Sequence, residues 1–153
     1  MEPVLNVTDL TVAYEHEGAL LPAVRELDLQ IIAGPTYGLV GESGSGKSTV
    51  ALAIMRYLGS NGRVLSGSIK FNDLDVLALG EDELRRVWGK EIALVPPDPQ
   101  SALNPSLRIG EQIAEILRRH IGMNHGQALA QAEELLHMVR VPDPDRVVRA
   151  YPH

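Results

Sequence analysis

Tyr37-Gly38-Leu39-Val40-Gly41-Glu42-Ser43-Gly44-Ser45-Gly46-Lys47-Ser48-Thr49 is the stretch on which the reading of the whole chain turns. Tyr37 to Val40 is a short apolar run between the Gly34-Pro35 break and Gly41, the pattern of a strand buried on both faces of a parallel sheet. Gly41 to Ser48 satisfies G-x-x-x-x-G-K-[ST] and stands between that run and a helical segment. Glycines at these positions let the backbone turn tightly, so that successive N–H groups face phosphate oxygens, and a helix starting near Lys47 adds the positive end of its dipole. In such a loop Lys47 reaches the β- and γ-phosphates, Ser48 coordinates Mg2+ through its hydroxyl, and Thr49, one residue deeper, can bond the α-phosphate. The candidate nucleotide-binding residues are Gly41, Glu42, Ser43, Gly44, Ser45, Gly46, Lys47, Ser48 and Thr49, with Ser48 as the metal ligand. The loop alone does not separate transport ATPases from GTPases, kinases or recombinases.

Lys47 to Leu58 reads as a deep helix, because Val50, Ile54 and Leu58 form one stripe and Ala51 and Met55 another, with Gly59 placed as the C-terminal cap. Upstream, Val4 to Tyr14 is rich in β-branched residues and gives way to a polar turn at Glu15 to Gly18. Ala23 to Ile32 alternates Val24, Leu27, Leu29 and Ile31 with polar residues, a second strand with one wet face. Downstream, Ser68 to Phe71 reads as a strand, Asn72-Asp73 as a turn, Glu81 to Val87 as a short helix opened by acids, and Ile92 to Val95 as another buried strand.

After Pro105 the period becomes helical. Ile113, Ile116, Leu117 and Ile121 fall on one face of a helix with Glu111 and Glu115 early, Arg118 and Arg119 late, and Gly122 as its stop. Ala128, Ala132, Leu135, Leu136 and Val139 do the same in a second helix that Pro142 ends. The expected fold class is α/β, a mixed sheet with a β-rich N-terminal part. Residues 1–105 are read as a nucleotide-binding core and 106–153 as the start of a helical subdomain.

The chain has 153 residues, 14 Lys plus Arg against 20 Asp plus Glu, and a formal net charge of -6, which argues against nucleic acid as a partner. Hydrophobic residues at 44% and charged residues at 22% are the balance of a globular protein, and the absence of Cys excludes disulfides and thiolate chemistry. The longest apolar run, Val50 to Met55, falls far short of the roughly 18 residues that suggest a membrane span. Glu2 stands where a secretory leader carries positive charge, so a cytoplasmic location is the default expectation. His16, His120, His125, His137 and His153 show no metal-ligand spacing with one another and read as ordinary polar positions. Arg85, Arg86 and Lys90 read as a solvated face, and Trp88 as partly buried packing.

Beyond the loop, several short motifs stand at matching positions along the chain: Val12-Ala13-Tyr14, Gly67-Ser68-Ile69, and Asp98-Pro99 leading to Ala102-Leu103-Asn104-Pro105. With them the sequence resembles the ATP-binding subunit of ABC transporters. Leu103-Asn104-Pro105 and the closing Arg149-Ala150-Tyr151-Pro152-His153 favour the dipeptide and oligopeptide importer branch. The resemblance implies a phosphate-binding-loop (P-loop) NTPase fold and ATP hydrolysis coupled to peptide import, with ATP and Mg2+ as cofactors. It implies a second nucleotide-binding subunit and membrane-spanning permease subunits as partners, and a peripheral place on the cytoplasmic face of the membrane. Tyr14 matches the aromatic position that stacks on adenine in the family, where a π face suits any base.

Two departures qualify the resemblance. Pro97 stands where the family has a Gln that contacts Mg2+ and the attacking water, so that catalytic role is not carried over. The chain also stops at His153, before the family's Leu-Ser-Gly-Gly signature helix, the strand with the Mg2+-binding Asp and catalytic Glu, and the later switch His. Neither the acids of Leu77-Ala78-Leu79-Gly80-Glu81-Asp82 nor Asp98 replaces them, since Gly80 intervenes in the first case and prolines in the second. The expectation is a fold that is incomplete in this chain, binding of ATP with little hydrolysis, and an apolar sheet edge that makes the isolated chain aggregation-prone. The alternative reading is a truncated, non-catalytic nucleotide-binding or interaction module; a small phosphotransferase would need a lid and an acceptor site that the sequence does not display.

Overall fold

A computed structural model describes residues 2–96, 98 and 102–153. It divides into two compact units, Met1–Leu94 and Val95–His153.

The first unit is built on a four-stranded antiparallel sheet in the order β2-β1-β3-β4. Strands β1 (Pro3–His16) and β2 (Ala19–Ile32) form a hairpin whose two-residue turn, Glu17-Gly18, has positive φ at both positions (51° and 79°). That is the turn whose twist matches the flanking strands. β3 (Gly62–Phe71) pairs with the other edge of β1, and a second tight turn at Asn72-Asp73 returns it into β4 (Leu74–Asp75). The register of β1 against β3 shifts between Thr8 and Thr11, a bulge that brings the backbone of Thr8, Asp9 and Leu10 against Gly67. Val7, Leu10, Val12, Ile69 and Val76 are fully buried and pack with Val50 and Ala53 of helix α1 (Lys47–Ile54) and Leu84 of α2 (Glu81–Val87). The α2 start is closed by Glu83, whose carboxylate accepts the Gly80 N–H at 2.9 Å. Trp88 is half-buried, donates its Nε1–H to the Met55 carbonyl at 2.9 Å and meets Tyr57 edge-on at 6.3 Å, as its reading as packing requires. Arg85 and Lys90 are exposed and paired with Glu81 and Glu91, a solvated face.

Helix α1 ends four residues earlier than the apolar stripes suggest, and its cap is not Gly59. Arg56 takes the left-handed position (φ 50°), the Tyr57 N–H reaches back to the Leu52 carbonyl at 2.8 Å, and the Arg56 N–H to Ala53 at 2.9 Å. This is a Schellman ending with arginine in the place usually held by glycine. The guanidinium is what compensates: Nη1 donates to the carbonyls of Leu79 and Val76. Arg56→Ala keeps the backbone cost and loses both bonds, so we expect a destabilisation of about 2 kcal/mol, read as a lowered urea midpoint.

The α/β class holds, but two runs read as buried strands, the first of them in a parallel sheet, are not strands. Tyr37–Val40 makes no ladder and Val40 is 89% exposed. Ile92–Val95 forms only an isolated parallel bridge, Trp88 to Ile92, and Val95 is 90% exposed. A strand exists only where neighbouring strands take up its N–H and C=O groups. Among the described residues all four strands pair antiparallel with one another, and none flanks these runs.

In the second unit, α3 (Ile109–Ile121) and α4 (His125–Met138) pack as an antiparallel pair, followed by the short α5 (Pro144–Val147). The buried face of α3 is not the isoleucine stripe. Gly110, Ala114 and Leu117 are buried, Ile113 is partly so, and Ile116 and Ile121 face solvent. Small residues win this face because they admit close neighbours: a Cβ on Gly110 would lie 2.5 Å from both the Cγ2 and the carbonyl oxygen of Val148. That approach lets the Gly110 and Ile109 N–H groups donate to the carbonyls of Val148 and Ala150, both at 2.9 Å, closing the start of α3. In α4, Ala128, Ala132 and Leu136 are buried as expected, whereas Val139 lies beyond the helix end and is exposed. A capping box between Asn124 and Gln127 starts α4, and Arg140 (φ 58°) ends it in the same arginine-bearing Schellman geometry. Gly122 stops α3 in the left-handed conformation, as read from the sequence.

Candidate functional site

The loop ahead of α1 has the backbone that the glycine spacing demands. Gly44 and Gly46 adopt positive φ (81° and 89°), and Gly46 is the N-cap of α1, its carbonyl accepting the Val50 N–H at 2.9 Å. Gly46 offers no side chain to cap this terminus, and among the described residues no side chain takes up its first-turn N–H groups, which carry the positive end of the helix dipole. Ser45 N–H closes the turn onto the Glu42 carbonyl at 3.2 Å.

Lys47 is folded back over the loop. Its ammonium donates to the Gly41 carbonyl at 2.8 Å, the Glu42 carbonyl at 2.6 Å and Ser45 Oγ at 3.2 Å. All three partners are neutral, so the positive charge is held in place without being cancelled. Two close approaches keep the ring small. A Cβ on Gly41 would lie 2.8 Å from Ser45 Oγ, and one on Gly46 would lie 2.5 Å from the Ala23 carbonyl oxygen and 3.2 Å from Val24 Cγ2. The second approach docks the loop on β2, and nothing in the motif foretold it.

Of the other candidate residues, Glu42, Ser43 and Ser48 are exposed, while Thr49 is 9% exposed beneath the first turn. Tyr14 lies on β1 opposite Leu21 and Gly62, half-buried, its ring edge against Gly62. Val24, which touches the loop, pairs with Val12 on the same strand two residues before Tyr14. Pro97, at the family's Gln position, lies outside the described residues. The donor set suits a nucleotide's phosphates: uncapped helix N–H groups, a fixed ammonium and an exposed serine hydroxyl within three consecutive positions, on a loop whose glycines leave room for close approach.

Two histidines pair with carboxylates, His125 with Glu111 at 3.7 Å and His137 with Asp145 at 3.9 Å. The Leu-Asn-Pro turn and the closing motif make contacts within the second unit. Gln112 clamps the Leu-Asn-Pro turn by bonding both the N–H and C=O of Asn104 and the Leu107 carbonyl, and Arg108 sits over the Tyr151 ring at 5.9 Å.

The sequence is 42% identical to the glutathione import ATP-binding protein GsiA of Salmonella paratyphi A over 98% of this chain and 25% of that protein. It is 39% identical to the oligopeptide transport ATP-binding protein OppD of Escherichia coli K12 over 99% of this chain and 45% of that protein. The chain therefore spans less than half the length of these relatives. The fold matches the dimeric ATP-binding cassette MJ0796, solved in a post-hydrolysis state with ADP and phosphate, with a TM-score of 0.75 at 21% identity over 97% of this chain and 61% of that one. It also matches an ATP-bound bacterial Atm1-family ABC exporter with a TM-score of 0.65 over 99% of this chain and 24% of that one. No helix among the described residues is long and apolar enough to cross a membrane. The ABC transporter family model matches residues 24–153, from the strand that docks the loop to the closing motif, and this chain belongs to that family as part of an ATP-binding cassette.

Proposed function

We propose that this chain is the nucleotide-binding part of a peptide-type ABC importer subunit, taking ATP with Mg2+ on the loop from Gly41 to Thr49. The observation that carries the reading is Lys47 held by neutral partners at an uncapped helix start. The loop's N–H groups and Lys47 bind and orient the phosphates, Ser48 holds the metal, Thr49 supports the inner phosphates and Tyr14 offers a face for the base. Mg2+, when bound, offsets charge that develops between the β- and γ-phosphates. Kinship to GsiA and OppD supports peptides as the cargo, and with it permease subunits and a second cassette as partners on the cytoplasmic face of the membrane.

Binding rather than turnover is the activity assigned to these residues. Among the described residues Lys47 touches no carboxylate, and Pro97 offers no side-chain amide for a nucleophilic water. The exposed runs Tyr37–Val40 and Ile92–Val95 support further cassette strands as their cover, and an isolated chain that self-associates through them. Lys47→Ala is expected to weaken binding of a fluorescent ATP analogue by about 10- to 100-fold, the value of one or two charge-assisted contacts, with an unchanged far-UV spectrum. Equal affinity in the variant would remove the loop from the reading.

A further inference from the structure

Helix α4 carries Glu133 and His137 four residues apart, so the two side chains share a face one turn apart. The chain then reverses through Val139–Asp143, and α5 brings Asp145 back to the same place. One carboxylate oxygen from each acid and one imidazole nitrogen lie within 4.8 Å of one another, with His137 Nε2 3.9 Å from Asp145 Oδ1. Among the described residues neither Glu133 nor Asp145 forms an ion pair with Lys or Arg; the neighbouring Arg146 is held by Asp143 at 3.0 Å. Glu133 is half-buried, has no hydrogen-bond partner there, and lines a cavity of about 200 Å³ together with Arg108, Glu111 and Arg149. Two carboxylates thus stand by a single imidazole, and among the described residues neither is ion-paired to a Lys or Arg.

We propose that Glu133, His137 and Asp145 form a three-ligand site for a first-row divalent transition metal, with Zn2+ as the best fit. The donor set decides the class. An imidazole nitrogen with two carboxylate oxygens suits borderline cations, whereas Ca2+ and Mg2+ take oxygen ligands alone. Tetrahedral binding at about 2.0–2.2 Å draws the ligand atoms to roughly 3.4 Å apart, a contraction that side-chain rotation supplies at exposed His137 and Asp145. Water fills the remaining positions. Bound metal would tie the last turn of α4 to α5 across the reversal. The histidine spacing concealed the site because the partners of His137 are carboxylates, one of them brought back only by the fold.

The test is calorimetric titration of the whole metal-free chain with Zn2+, alongside Mg2+ and Ca2+ controls. One equivalent of Zn2+ is expected to bind and to raise the melting temperature, with no competition from Mg2+ or Ca2+. His137→Ala and Asp145→Asn are each expected to weaken binding about tenfold or more and to abolish the thermal shift. Both side chains are largely exposed, so folding of the variants, checked by circular dichroism, should persist. Unchanged Zn2+ affinity in both variants, transfer of the loss to His125→Ala or His153→Ala, or no binding below millimolar Zn2+ would each overturn the site.

Discussion

Gly67→Ala is expected to destabilise the sheet-bearing unit by about 4 kcal/mol, a large share of a domain-scale stability of about 5–15 kcal/mol. The added Cβ would stand 2.5 Å from the Asp9 carbonyl oxygen, 2.6 Å from Leu10 Cα and 2.6 Å from the Thr8 carbonyl oxygen. All three atoms belong to the backbone of β1, the strand paired on both sides, and Leu10 is 0% exposed. Nothing there can give way without breaking the β1–β3 ladder or opening the core. The left-handed φ of 95° adds about 1 kcal/mol of its own. Gly18→Ala separates the two contributions, because Gly18 has φ 79° with open space where its Cβ would be. Urea unfolding should show a loss of about 1 kcal/mol at Gly18 and several times that at Gly67. Equal losses would mean that the close approach at the bulge contributes nothing.

Gly46→Ala is expected to abolish nucleotide binding, by more than about 100-fold or roughly 3 kcal/mol, while most helix and sheet content remains. Its Cβ would meet the Ala23 carbonyl oxygen at 2.5 Å, so the loop must lift off β2. Gly46 is also the N-cap of α1 at φ 89°, and a lifted loop displaces the N–H groups of the first turn together with Lys47. Gly44→Ala is the matched control, with a similar φ of 81° and open space around it. The expected order of affinity is wild type, then Gly44→Ala, then Gly46→Ala, measured with a fluorescent ATP analogue beside circular dichroism. Full binding by Gly46→Ala would show that docking on β2 is not what shapes the loop.

Local chemistry made much of the molecule legible in advance. The β-branched run of β1, the alternation of β2, the turn at Asn72-Asp73, the acid-led α2 and the glycine stop of α3 all rest on interactions within a few residues, and the polar stretch Glu15 to Gly18 holds the first turn, although Glu15 and His16 belong to β1. The same holds for the loop, where G-x-x-x-x-G-K-S encodes its own turn and places Lys47 at the helix start. Where a prediction needed a distant partner, it failed or was incomplete. Tyr37–Val40 and Ile92–Val95 have the composition of buried strands, yet composition cannot supply the neighbouring ladder. Ile116 and Ile121 share a hydrophobic stripe with Leu117, yet of the three only Leu117 is buried, beside Gly110 and Ala114, and at Gly110 the chain at Val148 comes too close for any side chain.

The sequence by itself therefore determined the α/β class, the strand-loop-helix context of the G-x-x-x-x-G-K-S motif and the existence of most elements, since each is written in near-neighbour spacing, while its scattered short motifs carried the resemblance to the family. The tertiary structure alone decided which apolar face is buried, that arginines rather than glycines cap α1 and α4, that Gly46 docks on β2, and that Asp145 returns to Glu133 and His137. Each of these depends on where a distant backbone comes to rest, and that position follows from the packing of the whole unit rather than from any local pattern.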